Sequence, residues 1–237
     1  MSLWQNVKKK KMTSLLSGKR GVGSFEYNGS TIFVKEHVEA VSHSLSNKRH
    51  ANCWQKNVIC QEIELTEQCF FVFRFKGHSW TNVIARDPSG LDFVTTKETN
   101  QINEEILKQE MEKVYSLCLN EEDAYLLSMD LKTRTIFYGV SDTILALGYR
   151  IYENGELLEK FETDEGYEIL EWESNIHDDR IDIKAEEWVD QLFRQQDIFE
   201  PSINFRRWVG YAMHKPGDKI TLSDPKGYLE RVDFVAL

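Results

Sequence analysis

Residues 69–75, Cys-Phe-Phe-Val-Phe-Arg-Phe, leave this chain little freedom. Phe71, Phe73 and Phe75 recur at every second position, and Arg74 stands between two of them. Period two sends successive side chains to opposite faces of a strand, so the three rings share one face and Arg74 takes the other. Aromatic side chains also favour the pleated surface. A chain holding this segment must build a sheet and something to cover its aromatic face.

Other segments supply the rest of that sheet. Lys76-Gly77-His78 predicts a turn, Ser79 to Ala85 a returning strand, and Asp87-Pro88-Ser89-Gly90 its end. Arg134 to Val140 places Ile136, Tyr138 and Val140 on one face. Two Asn-Gly pairs predict hairpins. Asn28-Gly29 joins Ser24–Tyr27 to Ser30–Lys35, and Asn154-Gly155 joins Leu147–Tyr152 to Leu157–Phe161. Further strands are expected at 58–65, Ala124 to Met129, Ile203 to Met213, Ile220 to Leu222 and Tyr228 to Val235, set off by turns such as Lys215-Pro216-Gly217-Asp218. Tyr167 to Trp172 fits a strand or a short helix equally.

Helical spacing is clearest at 101–119, with an apolar stripe through Ile106, Val114 and Leu117. It recurs at 185–198, with Trp188, Val189, Leu192 and Phe193 inward and Pro201 beyond the end, and weakly at Val38 to Leu45. Tight turns favour antiparallel pairing over a wound parallel sheet. The expected fold class is α+β: antiparallel sheet of hairpin-linked strands with two main packed helices, about 101–119 and 185–198. Residues 1–23 read as a flexible basic arm. Residues 24–237 read as a single α+β domain, as one body or as two intimate halves, about 24–120 and 121–237.

Charge is unevenly distributed. Residues 1–50 carry nine Lys/Arg and three Asp/Glu, whereas residues 153–200 hold seventeen acids against four bases. The whole chain is at −10. Such an acidic body repels nucleic acid, whose binding rests on phosphate neutralisation, and suits a basic protein partner. Within the acidic stretch Glu153, Glu156, Glu159, Glu162, Glu165, Glu168 and Glu171 recur every third residue. That spacing matches neither a strand face nor a helix face, so these carboxylates are expected to spread over an exposed surface. Glu156, Glu159 and Glu162 are the candidates for partner contact.

Lys8 to Lys11 are followed by too short an apolar run for a signal peptide, and no run approaches the roughly 20 residues of a membrane helix. A cytoplasmic protein with no membrane partner is expected. Cys53, Cys60, Cys69 and Cys118 lack zinc-site or disulfide spacing and read as buried structural thiols.

No dinucleotide, P-loop, nucleophile-elbow or zinc-protease motif occurs, so no cofactor and no metal is expected. Gly18-Lys19-Arg20-Gly21-Val22-Gly23 lacks the strand and helix of a phosphate nest and reads as a loop. His177-Asp178-Asp179 combines metal-ligating residue types but also fits an exposed acidic loop. Arg206-Arg207-Trp208 is expected to pair with nearby acids. His78, in a tight turn, is the candidate general base, with Asp87 or Asp142 to orient it. Two functions are therefore expected in order: a non-catalytic binding or regulatory protein with an acidic interaction surface, or an enzyme of unstated reaction whose site gathers near His78 and Asp142.

Overall fold

The computed structural model describes residues 29–85, 119–141, 146–177, 184–198, 216–224 and 227–237. Its centre is a nine-stranded sheet built from β1 (Gly29–Val34), β2 (Cys53–Gln55), β4 (Cys69–Phe75), β5 (Thr81–Ala85), β6 (Arg134–Ser141), β7 (Ala146–Glu153), β8 (Glu156–Thr163), β9 (Ile169–Ser174) and β11 (Leu229–Ala236). The order across the sheet is β2-β11-β4-β5-β1-β6-β7-β8-β9, and every pairing is antiparallel. A small second sheet pairs β3 (Glu62–Glu64) with β10 (Lys219–Thr221). Among the described residues three α-helices accompany them: α1 (Val38–Lys48), α2 (Glu121–Leu131) and α3 (Ala185–Gln195). The fold is α+β, as the alternation and turns predict.

Different elements cover the two faces of the large sheet. Phe71, Phe73 and Phe75 pack with Val232, Phe234, Ile63 and Ile220, so the small sheet covers their face at one end. On the same face at the other end, Tyr138, Tyr149, Ile151 and Phe161 pack with Trp188, Val189, Leu192 and Phe193 of α3. The opposite face buries Ile32, Phe70, Val72 and Val83 under Val41 and Leu45 of α1 and Ala124 and Leu127 of α2. Each large side chain enclosed in this way contributes roughly 1.5–3 kcal/mol. Helix α3 buries the four side chains that its spacing singles out, together with Ala185.

One local expectation is overturned. Ala124 to Met129 is helix, not strand. Asn120 Oδ1 accepts the Asp123 N–H at 3.0 Å, and Asp123 Oδ2 accepts the Asn120 N–H at 3.0 Å. This reciprocal cap, with Glu121 and Glu122 in the first turn, starts a helix that propensity for strand cannot outbid. The hairpin expected at Asn28-Gly29 rests on Ser24 to Asn28, which lie outside the described residues. Within them, β5 and β6 pair with β1 on its two edges over Thr31–Val34.

The hairpin at Asn154-Gly155 forms as expected. Asn154 at φ 55° and Gly155 at φ 83° make a two-residue turn of the kind that matches strand twist, and Glu153 pairs with Glu156. Of the alternating 167–172 segment, Tyr167 ends a short 3-10 turn and Ile169 to Trp172 belong to strand β9. The expected helix at 101–119, apart from buried Leu119, and the strand at 203–213 lie outside the described residues, as does the basic arm. Cys69 is buried, Cys53 is half-buried and Cys60 is exposed, so the uniform burial expected of the cysteines fails at Cys60. Among the described residues, no helix is long and apolar enough to cross a membrane.

Candidate functional site

His78 follows the turn after β4. It is half-buried, and its backbone N–H donates to the Phe75 carbonyl at 3.2 Å. Asp87 and Asp142 lie outside the described residues, as do Arg206, Arg207 and the Gly18–Gly23 loop. Of the expected catalytic group, His78 alone lies among the described residues.

The three candidate glutamates all fall on β8 and meet different fates. Glu156 is exposed beside the hairpin. Glu162 is half-buried and accepts from Arg150 Nη2 at 2.7 Å. Glu159 is 1% exposed, which overturns its place on an exposed contact surface. It lies two residues from Phe161 on a strand, so both turn toward α3. A charged side chain in step with a buried aromatic was the available signal for this burial.

Glu159 anchors a buried polar network. Its Oε2 accepts from Ser174 Oγ at 2.6 Å and from His177 Nδ1 at 2.5 Å, and its Oε1 accepts from the Tyr149 hydroxyl. The Tyr149 oxygen in turn accepts from Trp188 Nε1 at 2.6 Å. Ser174 Oγ also accepts the backbone N–H groups of Ile176 (3.1 Å) and His177 (2.9 Å), which fixes the chain where it leaves β9. The His177 ring meets Trp188 edge to face at 5.9 Å between centroids. Burial, and the carboxylate of Glu159 beside it, push the Tyr149 hydroxyl pKa well above the ordinary tyrosine value.

These groups border a cleft of about 70 Å³ lined by Tyr149, Glu159, His177, Trp188, Gln191, Leu192 and Gln195. A single water needs about 10–15 Å³, so the cleft admits a small polar head group and little more. Gln191 and Gln195 sit one helical turn apart on α3, and their side-chain amides make no hydrogen bond to the described residues. Of His177-Asp178-Asp179, the two aspartates lie outside the described residues, and the His177 imidazole faces the Glu159 carboxylate. Among the described residues no group of three metal-ligating side chains gathers.

Beside this cleft the large sheet ends. Among the described residues β9 pairs only with β8, so its outer edge carries unpaired backbone N–H and C=O groups. Glu171 stands opposite Glu162 and Glu173 opposite Lys160, so both point to the α2 side. Trp172 and Ser174 point to the α3 side. Leu170 is the extra residue of a bulge and is 65% exposed. Glu165, Glu168 and Glu173 are exposed as well. Comparison of the chain with family models, with curated proteins and with solved structures finds no match in any of the three.

Proposed function

We propose that the protein is a binding protein that receives a basic, extended segment of a protein partner along the outer edge of β9. The observation that carries this is the edge itself: a strand, Ile169–Ser174, whose outer side has no partner strand among the described residues and is set among exposed carboxylates. An open edge is a template for another strand, and main-chain hydrogen bonds supply affinity when one is added. Glu168, Glu171 and Glu173 select the kind of strand. A second copy of the same acidic edge is repelled, whereas a strand bearing lysine or arginine is attracted.

The neighbouring surface supports the same partner. Leu157, Leu170 and Ile176 are exposed on or beside β8 and β9, and Tyr125 and Met129 are exposed on α2. Leu157 stands across from Tyr152, whose ring lies 5.9 Å from Tyr125. Apolar side chains within an acidic surround suit a segment that alternates basic and apolar residues. The bulge at Leu170 shortens the usable edge to Glu171–Ser174 and the chain just beyond it.

A titration tests this. A peptide of roughly six to eight residues alternating lysine and valine, long enough for one strand, is added to the full chain at low and high salt. Binding should weaken as salt rises, because exposed charges are screened beyond about 8–10 Å at physiological ionic strength. It should be lost when alternate peptide nitrogens are methylated, and should weaken in the Glu168→Lys, Glu173→Lys double variant. Equal binding at both salts and by the methylated peptide would sink the proposal.

A further inference from the structure

The cleft beside β9 raises a separate question of charge. Three acids are buried among the described residues: Asp123, Glu159 and Asp233. Two have an arginine. Arg49 pairs with Asp123, and Arg231 Nε and Nη2 reach Asp233 at 2.6 and 2.9 Å. Asp233 further accepts from Trp54 Nε1 at 3.0 Å and from the Asn57 N–H at 2.9 Å, and so ties β2 and its following turn to β11. Glu159 has no arginine or lysine among the described residues. Its donors are two hydroxyls and an imidazole. A buried carboxylate ordinarily demands a paired cation, because its desolvation is costly.

We infer that the cleft is a socket for the head group of a basic side chain, an arginine guanidinium carried by the partner segment. The inference rests on the partner being basic and lying along β9. Side chains of a strand added to β9 alternate between the two faces of the sheet. One set lies over Glu171 and Glu173, and the other turns to the face that holds Glu159, His177 and Trp188.

The chemistry of the lining matches a guanidinium. A carboxylate offers about four acceptor sites, and Glu159 uses three. With Nδ1 turned to Glu159, Nε2 is the ring nitrogen of His177 that the carboxylate leaves unused. The amide oxygens of Gln191 and Gln195 add two acceptors at the cleft. Among the described residues no lysine or arginine lines it, and Trp188 and Tyr149 give it aromatic walls. Guanidinium is planar, carries five donors, is weakly hydrated for a cation and packs well against aromatic rings, which an ammonium does less well.

The test uses the full chain and a pair of small probes, ethylguanidinium and its neutral isostere ethylurea. The indole N–H of Trp188 and the ring C–H of His177 are followed by NMR at constant ionic strength. Ethylguanidinium should shift both signals saturably and bind about ten-fold or more tightly than ethylurea, as expected for a charge-assisted contact. Glu159→Gln should abolish that preference. Gln195→Lys, at an exposed position on the rim, should weaken ethylguanidinium binding while leaving the fold intact, because it brings a rival cation to the mouth. Equal shifts from both probes, no saturable shift from either, or unchanged affinity in Gln195→Lys would each overturn the inference. A lysine–valine peptide that binds while ethylguanidinium does not removes the socket alone. Ethylguanidinium binding without peptide binding removes the edge and keeps the socket.

Discussion

Replacing Glu159 by glutamine probes the buried network most sharply, because the change alters chemistry and almost no volume. Three donors converge on the carboxylate: the hydroxyls of Tyr149 and Ser174 and Nδ1 of His177. An amide has one acceptor oxygen and a donating NH₂ group. With the oxygen at the Oε1 position it serves Tyr149, but its NH₂ then meets Ser174. Both lone pairs of Ser174 already hold the N–H groups of Ile176 and His177, so its proton has nowhere to go. With the oxygen at the Oε2 position, Ser174 and His177 are served and the Tyr149 proton has no acceptor. Either orientation leaves one buried hydroxyl unsatisfied and removes the charge from the remaining bonds. The expected cost is about 3 kcal/mol. For a chain of this size that lowers the melting temperature by roughly 6–12 °C. Differential scanning calorimetry of Glu159→Gln against Glu156→Gln, the exposed neighbour on the same strand, measures it. A shift below about 2 °C for Glu159→Gln, or equal shifts in both variants, would refute the convergence of donors on Glu159.

Alkaline pH offers a second check. The folded-state pKa of Tyr149 is raised, so between the ordinary value near 10 and its folded value the unfolded chain has released a proton that the native state keeps. Stability is therefore whole below about pH 10 and falls above it, by up to about 1.4 kcal/mol per pH unit from this group; urea midpoints for Tyr149→Phe should fall less steeply with pH than for the parent. Gly155→Ala should cost about 1–2 kcal/mol in urea unfolding, because Gly155 sits at φ 83° and a Cβ there would come within 3.2 Å of Met129 Cβ. Asn120→Ala removes the helix cap of α2 and should cost about 1 kcal/mol by the same measurement. Thiol labelling of the native protein should modify Cys60 readily and leave Cys69 untouched until unfolding, since the first is exposed and the second buried.

Much of the fold was legible where local pattern and burial agree. The β4 alternation, the turn at Asn154-Gly155 and the inward residues of α3 could be read directly, because each depends on periodicity or on a φ that few residues adopt. Ala124 to Met129 was misread because its apolar residues suit either state, and the deciding cap lies just before it at Asn120 and Asp123. Strand partners are set non-locally: β5 and β6 take the two edges of β1, and no residue within β1 names them.

The candidate site separates sequence from tertiary structure most clearly. The sequence alone determined that the last third of the chain is acidic, that β4 must be buried on its phenylalanine face, and that Trp188, Leu192 and Phe193 turn inward together. Charge and side-chain period are properties of the chain itself. Only the tertiary structure decided which of seven evenly spaced glutamates is buried, and that Tyr149, Ser174, His177 and Trp188 surround it. Those residues sit on two strands, a loop and a helix. Strand order and the seating of α3 bring them together, and both are set by competition among many surfaces for burial rather than by the residues around any one of them.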